Sequence, residues 1–361
     1  MAKDDDFAGR VLAWWDVHGR KDLPWQHPRT PYRVWVSEVM LQQTRANTVV
    51  PYFERFVAAF PTVHDLASAD PDRVLHLWSG LGYYARARNL HEAARRLAAR
   101  PATDAFPREV AGWMELPGVG RSTAGAVVAQ AFGERASILD ANVRRVLARH
   151  HRVEGSVASS SAQTELWRLA EHHTPTQRVA DYTQAIMDLG ATVCRSAKPI
   201  CDACPVQDTC AAHATGEEAQ FPHRSPRKSA RRLERRRFFV ITAGDLVLLE
   251  KRPANGVWGG LWSPPERRED EPLDECLPRL GVELATVAET THAAPFRHGF
   301  SHYDLDVLPV YVHLTRLPAE VRDGASLRWA RRDDALGLSA VAAKLIAPTE
   351  PTQRSLLETD P

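Results

Sequence analysis

Along the first two thirds of the chain apolar residues return every three to four positions, and beyond about residue 237 they gather into short alternating or continuous runs. Helical spacing holds over Phe7 to Val17, closed by Gly19, and over Tyr32 to Leu41, Val74 to Trp78, Asn89 to Leu97, Thr123 to Ala131, Val143 to Leu147 and Tyr182 to Leu189. Two of these segments open with a capping residue followed by proline, Thr30-Pro31 and Asp70-Pro71, which is where a helix tolerates the missing N–H. Later, Phe238 to Thr242, a turn at Gly244-Asp245 and Leu246 to Glu250 read as a hairpin, and Tyr303 to Leu314 as a further strand. The pattern predicts a mainly α-helical domain over residues 1–222, a basic linker over 223–237 and an α+β domain over 238–361. Ser156 to Ser161 reads as a short polar loop, and no internal repeat is visible.

Composition agrees with a multidomain protein, since 361 residues at 44% hydrophobic and 25% charged can bury about two cores. No apolar run approaches the roughly 20 residues of a membrane span, and the N-terminal MAKDDDFAGR lacks an apolar signal region. The expectation is a cytoplasmic protein with no membrane partner. It is also expected to be a monomer, because no heptad repeat appears. The net charge of +1 hides a basic stretch at Arg227, Lys228, Arg231, Arg232, Arg235, Arg236 and Arg237, which fits a solvated linker or a DNA contact.

Four of the five cysteines fall in one stretch, Cys194-x6-Cys201-x2-Cys204-x5-Cys210. Thiolates so close together are a ligand set, and the unequal spacing differs from paired C-x2-C zinc knuckles. We read residues 194–210 as a loop holding a 4Fe-4S cluster, with a structural zinc ion as the alternative. Arg195 and Lys198, inside the loop, are placed to face phosphate.

Leu116 to Gly125, LPGVGRSTAG, is a glycine-containing turn running into a helix. Gly118 and Gly120 permit positive φ and close approach, and the N–H groups and dipole of the next helix favour an anion. Residues 110–131 therefore match a helix-hairpin-helix element that grips a DNA backbone through Gly118, Gly120 and Ser122; a plain helix turn is the alternative. Two carboxylates stand apart from this. Glu38 projects from an apolar helical face, where desolvation raises a carboxyl pKa toward the range of a general acid, unless an arginine satisfies it. Asp140, in ILDANV, follows an apolar pair and precedes a helix, which is also where an N-cap would stand. An acid and an ionised partner are what cleavage of a glycosidic bond requires.

Taken together, LPW at 23–25, VWVSEVMLQQT at 34–44, GLGYYARARNLH at 80–91, LPGVGRSTAG, ILDANV, MDLGATVC at 187–194 and the four cysteines resemble the MutY family of adenine DNA glycosylases over nearly the whole chain. The resemblance implies a base excision repair enzyme that removes adenine mispaired with 8-oxoguanine or guanine in double-stranded DNA. It makes Glu38 the acid that protonates adenine at N7 and later activates water, and Asp140 the residue that stabilises or traps the sugar cation. Asn142 supports that geometry and Gln184 lies in the adenine pocket. Tyr83, Gln43, Thr44 and Leu81 are implied to enter or line the helix near 8-oxoguanine as the adenine is flipped out. Glycosylases that also cut the strand carry a Schiff-base lysine where this chain has Ser122, which implies a monofunctional enzyme leaving an abasic site.

The last domain is similar to a Nudix fold used for recognition. Its signature runs from Gly256 to Pro265, but where a hydrolase has an Arg-Glu pair this chain has Asp274-Glu275, and where it has two adjacent metal-binding glutamates this chain has Pro278-Arg279, so the magnesium ligands are missing. By the same resemblance, Phe300, Ser301 and His302 form the loop contacting 8-oxoguanine, with Ser301 donating or accepting the hydrogen bond. The competing readings are an endonuclease III-like lyase, which wants the hairpin lysine and no such tail, a mismatch binder without catalysis, and a Nudix hydrolase.

Overall fold

The computed structural model describes residues 6–101, 106–223, 231–300, 303–318 and 326–347. Contacts divide the chain into two units, one made of residues 1–69 with 88–228 and the other of residues 70–87 with 229–361.

The first unit is helical. It contains α1 (Phe7–His18), α2 (Pro31–Leu41), α3 (Ala46–Ala59) and α4 (Val63–Ser68). A later helix, α5 (Pro71–Trp78), belongs to the second unit, and the division falls inside α6 (Ala85–Ala98). The first unit continues with α7 (Val110–Met114), α8 (Arg121–Phe132), α9 (Ala141–His150), α10 (Ser160–His173), α11 (Val179–Asp188) and the short α12 (Ala211–Ala214). The two Pro-led starts form as the sequence indicates: Thr30 Oγ1 accepts from Arg33 N at 3.2 Å and Asp70 Oδ1 from Asp72 N at 2.7 Å. Helices α3, α4 and α10 are not among the segments read from apolar spacing. Helix α3 carries an internal Pro51, α4 is one short turn set by a Thr62/Asp65 capping box, and α10 begins at Ser160 inside the segment read as a polar loop, capped by Ser159. Phe7, Val11 and Trp15 of α1 pack with Ile138, Leu139, Val143, Leu147, Leu166 and Ile186 in one buried cluster. Burying Ile138 and Leu139, each worth about 1.5–3 kcal/mol, anchors the irregular segment that leads to Asp140.

The second unit is built on a mixed sheet. Strand β1 (Arg232–Ala243) pairs in parallel with β7 (Tyr303–Leu314), and antiparallel with β2 (Leu246–Lys251) and β4 (Glu266–Arg268). Strands β3 (Trp262–Ser263) and β8 (Leu327–Arg331) pair with β2, while β5 (Val287–His292) and β6 (Phe296–Gly299) pair with β7. Helix α13 (Leu273–Arg279) contributes Cys276 and Leu277 to a core with Phe239, Ile241, Leu248, Val310 and Val312, and α14 (Ala340–Ile346) follows the sheet in sequence. The hairpin read from sequence is β1–β2, with Gly244 at φ 58° in the turn. The basic stretch differs from its reading as a linker. From Arg232 onward it is strand, because each residue to Thr242 finds a partner in β7, while Arg227 and Lys228 lie outside the described residues. Helix α5 and the turn after it join this unit through side chains: Asp72 accepts from Lys251 Nζ at 2.9 Å and Trp262 Nε1 at 3.0 Å, and Tyr84 Oη, in the turn, donates to Leu338 O at 3.2 Å.

Candidate active site

Glu38 lies on α2 between buried Val34, Trp35 and Met40, and no arginine among the described residues is paired with it. Its partner is an amide: Gln130 Nε2, on α8, donates to Glu38 Oε1 at 2.9 Å. Burial raises the Glu38 pKa to about 7, the Gln130 hydrogen bond opposes the rise, and the negative charge of Asp140 adds to it. Two carboxyl groups far apart in sequence thus sense one another in space.

Asp140 is the N-cap of α9. Its Oδ1 accepts from Val143 N at 2.7 Å, and its Oδ2 accepts from Asn142 Nδ2 at 2.9 Å. Burial pushes its pKa upward, whereas the Val143 and Asn142 donors and the nearby Arg145 charge favour the ionised form. Three small residues permit this placement. Ser122 Oγ accepts from Leu139 N at 3.0 Å, a side chain at Gly125 would collide with Ser137 O, and one at Gly190 would collide with Asn142. Gly118 takes φ 76° and passes against Asn89, as the sequence suggested. Gly120 does not use its freedom: φ is −91° and it serves as the N-cap of α8.

Arg145 extends the site through Asn142. Its guanidinium donates to Asn142 Oδ1 at 2.9 Å, Gly190 O at 2.5 Å and Cys194 O at 2.6 Å. Neither Arg145 nor Gln130 was singled out from sequence. A glutamine between alanines in the otherwise small and apolar STAGAVVAQAF was the available signal for Gln130.

Cys194 ends a π-turn, Cys201 and Cys204 flank a 3-10 turn, and Cys210 caps α12. All four line one cavity with Val146, Val193, Ile200 and Val206. Arg149 Nη1 points at Cys194 Sγ from 3.3 Å. Burial, with Glu218 and the neighbouring sulfurs, raises the Cys201 thiol pKa to about 11, and burial with the neighbouring sulfurs raises that of Cys204 to about 12. Thiolates here need a cationic centre, so the donor set fits a thiolate-ligated metal cluster. Sequence alone did not indicate that His213 and Glu218 approach Cys201 within 4.8 Å.

The remaining residues fall as follows. Gln184 is buried on α11 and donates to Asp188 Oδ1 at 2.8 Å. Gln43, at φ 58°, is exposed in the turn after α2, and Thr44 N donates to Leu41 O at 3.1 Å. In the second unit Tyr83 is 49% exposed at φ 49°, while neighbouring Leu81 is buried. Arg86 lies over the Trp78 and Tyr83 rings and donates to Gly82 O at 3.1 Å, which braces that turn. Phe300 stacks on Tyr303 at 4.5 Å, tilts against Trp258 and meets His298 edge to face. Ser301 and His302 lie outside the described residues.

Comparison with known proteins follows this division. Residues 36–172 match the HhH-GPD superfamily base excision DNA repair protein model, and residues 237–347 match the NUDIX domain model. The chain is 33% identical to the adenine DNA glycosylase of Buchnera aphidicola subsp. Acyrthosiphon pisum over 90% of this chain and 91% of that protein. It is 34% identical to the Mus musculus adenine DNA glycosylase over 90% of this chain and 73% of the mouse protein. Among solved structures, a thermostable thymine-DNA glycosylase covers 58% of this chain and 95% of its own at a TM-score of 0.50 and 29% identity. Fold and site therefore define a base excision DNA glycosylase of the helix-hairpin-helix superfamily that also carries a Nudix-type domain. Within that class the chain belongs to the adenine DNA glycosylase, or MutY, family, whose members hydrolyse an N-glycosyl bond and typically hold a 4Fe-4S cluster. No helix among the described residues is long and apolar enough to cross a membrane.

Proposed function

We propose that this enzyme removes adenine paired with 8-oxoguanine or guanine in duplex DNA and leaves the strand uncut. The observation that carries the proposal is the Glu38–Asp140 pair, in which the carboxyl with a pKa near 7 stands within electrostatic reach of one surrounded by donors. Glu38 gives its proton to adenine N7, the bond from C1′ to N9 breaks with its electron pair going to the base, and the sugar cation forms beside Asp140. Asp140 is suited to the negative role because Val143 and Asn142 hydrogen-bond its ionised form. Glu38, now ionised, takes a proton from the water that adds to C1′, which restores the acid. Gln184 contributes to the adenine pocket.

Gly118, Gly120 and Ser122 approach the DNA backbone at the start of α8, whose unpaired N–H groups favour phosphate. Tyr83 and Leu81, with Gln43 and Thr44, fill the space left by the flipped adenine and hold its former partner, and Phe300, Ser301 and His302 read 8-oxoguanine. Cys194, Cys201, Cys204 and Cys210 would hold the 4Fe-4S cluster, which supplies a cross-link that orders residues 194–210 for DNA. The segment between the glycosylase and recognition domains is shorter than residues 223–237, since β1 begins at Arg232.

A single-turnover assay on an end-labelled duplex with adenine opposite 8-oxoguanine tests the proposal, with samples read before and after hot alkali. Product appearing only after alkali, and lost in Glu38→Gln and Asp140→Asn, is expected. Tight binding without product would sink the catalytic assignment.

A further inference from the structure

Gln130 is 4% exposed, and its Oε1 has no hydrogen-bond partner among the described residues. A buried amide with an unmet acceptor is costly, and an apolar side chain would fill the same space without that cost. What the amide does make is the 2.9 Å bond from Nε2 to Glu38 Oε1. A second polar contact links the same helices: Gln42 Nε2 donates to Thr123 Oγ1 at 3.3 Å. Residues 38 and 42 are one turn apart on α2, and residues 130 and 123 are two turns apart on α8, so the helices run in opposite directions with these pairs along the seam.

We propose that Gln130 is a positioning residue for the catalytic acid: its amide N–H occupies Glu38 Oε1, fixes the rotation of the carboxyl group and leaves Oε2 to carry and deliver the proton. The proposal rests on the assignment of Glu38 as the acid. A terminal carboxyl torsion is soft, and one well-placed donor removes much of its freedom. The same donor steadies the ionised form that Glu38 must adopt once its proton has gone. Burial and the charge of Asp140 both work against that form, and Gln130 is the group that works for it. The other charges on the packed helices are engaged or exposed. Arg33 of α2 donates to Pro24 O, Arg121 of α8 pairs with Glu171, Glu54 and Arg55 of α3 are exposed, and on α11 Asp181 pairs with Arg29 and Asp188 with Arg20. Asp140, ahead of α9, is the charge that acts on Glu38.

The test is the pH profile of single-turnover base removal by the full-length protein in Gln130→Met and Gln130→Glu. Methionine keeps length and burial but cannot donate, so the alkaline fall in rate should move upward by on the order of one pH unit, with a roughly three- to tenfold slower rate at the optimum. Glutamate sets a second carboxylate against Glu38 and should move the same limb further upward, which gives an independent reading if the methionine variant folds poorly. A profile that stays in place in the folded variants, with or without a slower rate, overturns the proposal. Glu38→Gln is run beside them. Full activity there would remove the acid itself, whereas an inactive Glu38→Gln with an unshifted Gln130→Met removes only the role of Gln130.

Discussion

Ser122 Oγ accepts a hydrogen bond from the backbone N–H of Leu139 at 3.0 Å, so the residue at the lysine position of strand-cutting glycosylases is engaged in holding the segment that ends in Asp140. A hydroxyl in that bond offers no amine for a Schiff base. The purified enzyme should therefore leave the backbone intact until alkali is added. Ser122→Ala should fold, lose a bond worth about 1 kcal/mol and slow base removal roughly fivefold by loosening the segment. Efficient strand cleavage without alkali, read on a denaturing gel, would contradict the first expectation. An unchanged Ser122→Ala rate would contradict the second.

Asp140 has two separable jobs. As a helix cap it needs only an oxygen facing Val143 N, and asparagine supplies one; as the counterpart of a sugar cation it needs charge. Asp140→Asn should melt within about 0.5 kcal/mol of the parent while its single-turnover rate falls by on the order of a hundredfold or more. Asp140→Ala should lose about 1 kcal/mol in addition. Equal rates for Asp140→Asn and the parent would leave Asp140 a cap and nothing more.

The helices that the sequence made legible were those with an explicit start or a clean apolar face, such as α2 behind Thr30-Pro31. Helix α3 carries Pro51 inside it and α10 starts amid serines, and these signals masked apolar faces that both possess, Val49, Phe53 and Phe56 in the first and Leu166, Leu169 and Ala170 in the second. The carboxylates could be picked out because each stands in an unusual local setting. That they act on one another depends on α2 packing against α8, whose Ser122 holds the segment ending in Asp140, and that Gln130 serves Glu38 depends on the same packing. Gly118 and Gly120 show the limit within one motif: both are glycines in a turn, yet only Gly118 adopts positive φ. Asp72 illustrates a different gap, since a residue in the first turn of α5 gives no local sign that Lys251 and Trp262 will meet it.

The four cysteines lead to a compositional prediction. Burial and the neighbouring sulfurs raise the thiol pKa values of Cys201, Cys204 and Cys210, so a cationic centre is needed to draw their protons off. Anaerobically purified protein should contain iron and acid-labile sulfide in equal amounts, with little zinc. Cys201→Ser should weaken DNA binding while helical circular dichroism is retained. Stoichiometric zinc without iron would replace the cluster by a structural zinc ion, and loss of soluble protein in Cys201→Ser would give the site a folding role.

Glu38 should cost the fold stability in the pH range where the enzyme works. Its pKa is raised by burial from 4.5 to about 7, so between those values the folded protein holds a proton that the unfolded chain has released. Stability must therefore fall as pH rises through that window, by up to about 3 kcal/mol for this group above pH 7. Glu38→Gln cannot ionise and can still accept from Gln130. At pH 8 it should melt several degrees above the parent, and near pH 4.5 the difference should shrink toward zero because both side chains are then largely neutral. Melting curves of the two proteins at pH 5 and pH 8 make the comparison. A variant no more stable than the parent at pH 8 would mean that Glu38 ionises in place at little cost. Its suitability as an acid near neutral pH would then have no basis in its surroundings.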